Sequence, residues 1–180
     1  EAETLRALPG LDRSAHRSRR AGVHVYERER GGGALVEDVE GARGHAEHHF
    51  CVWDETSRGW FSGDMFGLSY TWCRFRNGDF VLPSTTPSQF DPAAYVDSLE
   101  LLGSYAPQRM YLTHYGALDY SLEKAQLLER QIHVYCEFAR AETLDVGRLQ
   151  QRLGDYALEL LHQFGASHSE AQLRHLLAPD

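Results

Sequence analysis

Three histidines lie within five residues of the sequence, in the segment GHAEHHF at 44–50. Histidine is the commonest nitrogen ligand of zinc, copper and non-haem iron in proteins. The segment therefore points to a metal site, although solvated loops also carry such clusters by chance. A metal site needs more ligands, so other residues must reach the same point in the fold.

Two further candidates, Asp64 and His114, share a setting with His45. His45 precedes a strand-like segment, Asp64 follows WFSG, and His114 ends RMYLTH. Each is next to or near a glycine, which can adopt the backbone geometry of a sharp turn; the glycines are Gly44, Gly63 and Gly116. Residues at strand ends can converge at one edge of a sheet, so we expect these three side chains to converge. Two imidazoles and one carboxylate form a partial shell for a divalent transition metal.

Each of these residues also has an ordinary structural explanation when it is taken alone. Asp64 can cap a turn, and His114 can be a half-buried histidine at the end of an apolar strand. His48 and His49 are adjacent on a predicted strand and would point to opposite faces, so only one of them can easily face a metal. Tyr115 can donate a hydrogen bond to a substrate, or it can pack at the sheet edge.

Aromatic residues are concentrated between positions 53 and 72. We assign Trp53 and Phe61 to the core. The remaining candidates for a substrate pocket are Phe66, Tyr70 and Trp72, which can equally pack in the core.

The elements that must position these residues change in character along the chain. Alternating apolar residues around Gly31–Gly33 predict a β-hairpin, and no lysine-serine pair follows the glycines as in a phosphate loop. Strands are predicted at HHFCVWD, at WFSGD and at 109–116. A helix is predicted over 92–104, with Asp91 as its N-cap and Pro92 in its first turn. Beyond Gly116, apolar residues recur every three or four positions, which predicts amphipathic helices to the end of the chain.

Composition limits the class of protein. The chain has 180 residues, 42% of them apolar, which is enough for one domain with a proper core. A formal net charge of −8 argues against general binding to nucleic acid or to anionic membranes. No segment reaches the roughly 18 apolar residues of a membrane span, and the first residues do not resemble a signal peptide. Three cysteines without a CxxC pair fit reduced packing residues, so we expect a cytoplasmic protein.

The segments GHAEHHFCVWDETSRGWFSGD and RMYLTHYG resemble the second half of the metallo-β-lactamase-fold hydrolase superfamily. The resemblance covers about residues 34–118. It implies that His45 is a metal ligand, that Asp64 is the catalytic carboxylate bridging two metals, and that His114 completes the second metal's shell. It further implies two zinc ions in a complete site, with iron or manganese as alternatives, and His49 in an outer shell with Tyr115.

The chain also departs from the family pattern. The usual T-P-G-H loop reads Ala42-Arg43-Gly44-His45, and the H-x-H-x-D-H signature, which supplies most ligands and the general base, does not occur. We therefore expect an α/β fold, a partial αββα metallo-β-lactamase-like sandwich followed by a helical C-terminal tail. Its predicted parts are a weakly structured segment at 1–20, the half-domain at 21–118 and the tail at 119–180.

Three functions remain open from the sequence. The first is a metal-dependent hydrolase of a small ester, thioester or lactone-like substrate, working with a missing N-terminal half or a homo-oligomeric partner. The second is a catalytically inactive fragment that binds at most one metal weakly. The third is a helical interaction module whose histidines are incidental.

Overall fold

A computed structural model describes residues 24–30, 34–40, 42–75, 78–86, 88–142 and 145–177. The segment predicted to be weakly structured, 1–20, lies outside these residues. The strands are β1 His24–Arg30, β2 Ala34–Glu40, β3 Phe50–Asp54, β4 Gly59–Gly63, β5 Arg74–Phe75, β6 Gly78–Asp79, β7 Arg109–Leu112 and β8 Ala117–Asp119. The helices are α1 Pro92–Ser104, α2 Leu122–Ala141, α3 Val146–Gln163 and α4 Glu170–Leu177. The predicted α/β class is confirmed.

Six strands form one sheet in the order β1-β2-β3-β4-β7-β8. All neighbouring pairs are antiparallel except β4 and β7, which are parallel and joined through α1. The predicted hairpin is present as β1 and β2, and β5 pairs with β6 in a separate small sheet. Because β4 and β7 are parallel neighbours, their C-terminal ends lie side by side at the same edge of the sheet.

Helix α1 has the bounds that the sequence predicted. The Asp91 carboxylate accepts hydrogen bonds from two backbone N–H groups of the first turn, as an N-cap does. The helix packs on the sheet, where the buried Trp60 indole donates to the backbone carbonyl of Leu102 over 3.0 Å. Trp53 and Met110 are buried on the same side.

The opposite face of the sheet carries exposed aromatic side chains. One of them, Phe61, was wrongly assigned to the core from the sequence. Phe61 was expected in the core, but it is 51% exposed and stacks on Tyr111 at a centroid distance of 4.6 Å. Neighbouring residues of a strand alternate between faces, so burial of Trp60 turns Phe61 outward. Phe50, at the start of β3, is also exposed.

The helical tail belongs to the same hydrophobic core as the sheet. The buried Gln131 of α2 donates to the backbone carbonyl of Val81 over 2.8 Å. Leu128, Leu161 and Leu173 contribute one buried side chain from each tail helix to the cluster that includes Trp60. The predicted amphipathic helices of the tail are therefore confirmed as α2, α3 and α4.

Two local boundaries differ from the prediction. His48 and His49 were both placed on a strand, but β3 begins at Phe50. His48 lies in a turn in which the His49 N–H donates to the Ala46 carbonyl. The strand predicted over 109–116 ends at Leu112, and the chain turns back into β8, which the sequence did not predict. Within the described residues, no helix is long and apolar enough to cross a membrane.

Candidate functional site

The structure brings His45, Asp64 and His114 together at one edge of the sheet. β3 runs antiparallel to β4, so the loop before β3 adjoins the end of β4, and parallel pairing places the ends of β4 and β7 side by side. The His45 Nε2 atom lies 3.5 Å from Asp64 Oδ2, and His114 Nε2 lies 3.6 Å from Asp64 Oδ1. The expected convergence is thus present. The role of the three residues as ligands stays a prediction.

The orientation of His45 is fixed by the loop that precedes α1. Its Nδ1 atom lies 3.0 Å from the carbonyl oxygen of Ser84. A carbonyl oxygen can only accept, so Nδ1 carries the proton and Nε2 is directed at Asp64. The Thr86 hydroxyl donates to the His45 carbonyl over 2.5 Å. An imidazole that donates one ring N–H to a backbone carbonyl is the usual arrangement of a metal-ligating histidine.

Asp64 is held by two side chains that come from distant parts of the chain. Its backbone N–H donates to His49 Nε2 over 3.0 Å, and its carbonyl accepts from the Tyr95 hydroxyl over 3.1 Å. His49, predicted to lie in an outer shell, therefore contacts the backbone of Asp64, and its outer-shell role stays a prediction. An imidazole that accepts at Nε2 carries its proton at Nδ1 when it is neutral.

The electrostatic surroundings favour the protonation states that these hydrogen bonds require. Burial lowers the pKa of His49, and the neighbouring His45 lowers it further. His49 is thereby kept neutral, as an acceptor must be. Burial raises the pKa of the Tyr95 phenol, so its hydroxyl keeps the proton that it donates.

The donor chemistry around Asp64 suits a divalent metal, but the number of donors is small. Among the described residues, no group of three or more His, Cys, Asp or Glu side chains is arranged to hold a metal ion. Asp64 instead pairs with each histidine separately, through a different carboxylate oxygen. Each pair thus offers two donors, where a protein zinc site uses three or four.

The spacing within each pair is that of two ligands of one ion. Both separations exceed the roughly 2.7–3.2 Å of a nitrogen–oxygen hydrogen bond. Two ligands that each lie about 2.1 Å from an ion in tetrahedral geometry are about 3.4 Å apart. In addition, Asp64 Oδ1 is buried and has no hydrogen-bond partner among the described residues. A buried carboxylate oxygen without a hydrogen-bond partner is costly, so a cation would suit this atom as a partner.

Three of the predicted outer-shell and pocket residues form a continuous row beside His114. Tyr115 contacts Tyr70 at a centroid distance of 4.6 Å, Tyr70 stacks on Trp72 at 5.5 Å, and Trp72 meets His168 at 6.2 Å. We call these four residues the aromatic row. Tyr115 is 48% exposed and has a backbone φ of 70°, a conformation that is rare outside glycine.

Phe66, the remaining pocket candidate, lies elsewhere. It is fully buried and packs against Tyr120 at a centroid distance of 5.7 Å. Its side chain belongs to the core cluster and is not part of the aromatic row.

Sequence reasoning missed Tyr95, Ser84 and Thr86. Tyr95 was visible only as an apolar position of α1, and the two hydroxyl residues lie in a loop without a recognisable motif. Their partners are 31 to 41 residues away along the chain, so no local spacing could have linked them to the site.

No family model matches the chain, and no curated protein matches it. Among solved structures, a metallo-β-lactamase superfamily protein from Sulfolobus tokodaii is 23% identical with a TM-score of 0.45, over 64% of this chain and 38% of its own. A metallo-β-lactamase from Pontibacter korlensis is 15% identical with a TM-score of 0.42, over 60% of this chain and 45% of its own. A metallo-β-lactamase family protein from Thermus thermophilus is 18% identical with a TM-score of 0.42, over 66% and 35%.

These structural neighbours are all metallo-β-lactamase superfamily proteins, the superfamily that the sequence motifs resemble. The chain spans less than half the length of each.

Proposed function

We propose that this chain carries part of the centre of a metal-dependent hydrolase acting on a small ester, thioester or lactone-like substrate. The observation that carries the proposal is the placement of Asp64, whose two carboxylate oxygens each face a different imidazole while the buried Oδ1 has no hydrogen-bond partner among the described residues. A carboxylate with one histidine on each side suits a bridge between two cations. His45, Asp64 and His114 are the residues that would hold them.

The donor set indicates the kind of metal. Imidazole nitrogen with carboxylate oxygen suits zinc, iron or manganese, whereas an all-oxygen shell would suit calcium or magnesium. Such a metal, when bound, polarises a carbonyl group and lowers the pKa of a bound water to about 7. The residues of this chain place the carboxylate, keep Nε2 of His45 directed at it and fix its backbone.

We further propose that the missing donors come from a second segment or a second copy of the chain. Three ligands are too few for two metals that must also keep open positions for water and substrate. The exposed aromatic residues Phe50 and Phe61, with Tyr111, lie on the sheet face opposite to α1, and a partner layer would bury them.

The aromatic row suggests where the organic part of a substrate lies. It begins beside His114 and continues to His168 in the helical tail, with partly exposed rings along its length. Such rings suit an apolar acyl or aryl group. We therefore expect the tail to contribute to substrate contact as well as to the core.

The proposal is tested by zinc binding to the purified chain and by ester hydrolysis. We expect weak zinc binding, lowered at least about tenfold by Asp64→Asn, because removal even of outer-shell support costs about 10–100-fold. Asp97→Asn, which removes an exposed carboxylate on α1, is the matched control and leaves affinity unchanged. Zinc binding that is equal in all three proteins would contradict the proposal and favour the helical interaction module.

The ligand count predicts negligible hydrolysis by the isolated chain. Fusion to an upstream half that carries H-x-H-x-D-H should restore turnover that depends on Asp64. In the fused protein, Trp72→Ala should raise KM more for long-acyl esters than for acetate esters. Robust turnover by the isolated chain, abolished by Asp64→Ala, would show that the chain itself contains more ligands than we have identified.

A further inference from the structure

We infer that Tyr95 is a positioning residue which, together with His49, fixes the backbone of Asp64 and so the direction of its carboxylate. The inference deepens the proposed function, on which its metal-binding part rests. Tyr95 lies on α1, and its hydroxyl reaches the Asp64 carbonyl; His49 lies before β3 and accepts the Asp64 N–H.

Both peptide groups that flank the Asp64 Cα atom are therefore held by side chains. The N–H belongs to the preceding peptide and the carbonyl to the following one, so together these two hydrogen bonds restrain φ and ψ. The direction of the Cα–Cβ bond follows from φ and ψ, and the carboxylate follows that bond. Two contacts to the backbone thus set the direction in which the Asp64 side chain leaves the backbone, without occupying either carboxylate oxygen.

The backbone next to Asp64 is irregular, so these side-chain hydrogen bonds add restraint to the backbone hydrogen bonds of the loop. The pairing of β4 with β7 shifts register between Phe61 and Gly63, immediately before Asp64. Gly63 has a φ of 54°, which glycine adopts readily among many other conformations. Beyond Asp64, the Gly67 N–H donates to the same carbonyl that Tyr95 contacts, over 3.1 Å.

Helix α1 also fixes the loop that carries His45. A Cβ atom added to Gly44 would overlap the backbone of Tyr95, so Gly44 lies directly against the first turn of the helix. The Asp91 N–H donates to the Gly44 carbonyl over 2.9 Å. One turn of α1 therefore sets the position of both His45 and Asp64, and Tyr95 is the residue that contacts both loops.

The hydroxyl of Tyr95, rather than its ring, carries this role. The ring is fully buried and packs near Phe90, which a phenylalanine would do equally well. Only the hydroxyl reaches Asp64. The effect of Tyr95→Phe on Asp64 thus separates positioning from core packing.

The experiment compares Tyr95→Phe with Tyr111→Phe in the full chain. Tyr111 lies on β7, where its ring stacks on Phe61 at the opposite face of the sheet, so its hydroxyl serves as the control. In metal-free protein we expect faster amide hydrogen exchange at Asp64 and Gly67 in Tyr95→Phe only, with exchange inside α1 unchanged. We also expect zinc affinity to fall about 10- to 100-fold and the visible spectrum of the cobalt-substituted protein to change.

Two results would overturn the inference. One is a rate of amide hydrogen exchange at Asp64 and Gly67 that equals the wild-type rate in a folded Tyr95→Phe protein. The other is faster exchange throughout α1, in proportion to the loss of stability. The loss of core packing alone would produce that result. If wild type and Asp64→Asn bind zinc equally, the proposed function fails, and the exchange data still decide the inference.

A second variant tests the other hydrogen bond to the Asp64 backbone. His49→Leu removes the acceptor of the Asp64 N–H while filling a similar volume. We expect exchange at Asp64 to accelerate in this variant also. If Tyr95→Phe does not fold, unchanged exchange at Asp64 in His49→Leu overturns the inference.

Discussion

The close contact between Gly63 and His49 can be tested by a double-mutant cycle, which measures the coupling energy between the two residues. A Cβ atom added at Gly63 would overlap Nε2 of the His49 ring and come within 2.7 Å of its Cε1 atom. The ring cannot stay where it accepts the Asp64 N–H if this Cβ atom is present. Gly63→Ala should therefore expel the ring and break that hydrogen bond.

The cost of this substitution has two parts. Alanine at a φ of 54° costs about 1–2 kcal/mol relative to right-handed backbone. A polar group left without its partner costs about 1–3 kcal/mol. We therefore expect Gly63→Ala to lower the free energy of unfolding by about 2–5 kcal/mol.

In a His49→Ala background the ring is absent, and only the backbone part of the cost remains. Urea unfolding of the four proteins of this cycle should give a coupling energy of about 1–3 kcal/mol. Gly116→Ala serves as comparator because its φ is also positive, at 97°, while a Cβ atom there would meet nothing within 4 Å. Its cost should not depend on His49. Costs of Gly63→Ala and His49→Ala that add to within about 0.5 kcal/mol would refute the contact.

Three further predictions concern the thiols, the start of α1 and the helical tail. Burial raises the pKa of the Cys73 thiol to about 12 and also raises that of Cys51, so Ellman's reagent at pH 8 should modify only Cys136 quickly; three fast thiols in native protein would contradict this. Asp91→Ala should cost about 1 kcal/mol in urea unfolding, with Asp91→Asn close to wild type, because the side chain caps α1. Leu128→Ala should cost about 2–5 kcal/mol, since this fully buried side chain joins α2 to the core, and a cost below about 1 kcal/mol would show that the tail packs loosely.

The sequence was sufficient for those parts of the fold that short-range rules govern. Asp91 and Pro92 marked the start of α1, and the three- and four-residue apolar spacing marked the tail helices. The convergence of His45, Asp64 and His114 was also predicted, because a glycine within two residues of a histidine or an aspartate near a strand end is a local pattern. Each of these signals lies within a few residues of the feature that it predicts.

The remaining features depend on pairing across the chain. β8 has only three residues and exists because β7 lies beside it. The alternation of Trp60 and Phe61 was readable, but which of the two faces the core depends on where α1 packs. Phe66 was a pocket candidate for the same reason, since its burial is decided by tertiary contacts.

Unusual backbone conformations are concentrated next to the three candidate ligands. Gly44 precedes His45, Gly63 precedes Asp64, and Tyr115 follows His114, each with a positive φ. Such conformations persist only where surrounding contacts hold them. Around His45 and Asp64 those contacts are hydrogen bonds and close packing with α1 and with His49. Because these two loops are ordered by the protein itself, the entropy of ordering them need not be offset by the binding of a metal. Metal affinity should then depend mainly on how many donors reach the site. Completing the ligand set should therefore raise metal affinity, and with it activity, more than a substitution that only stabilises the fold.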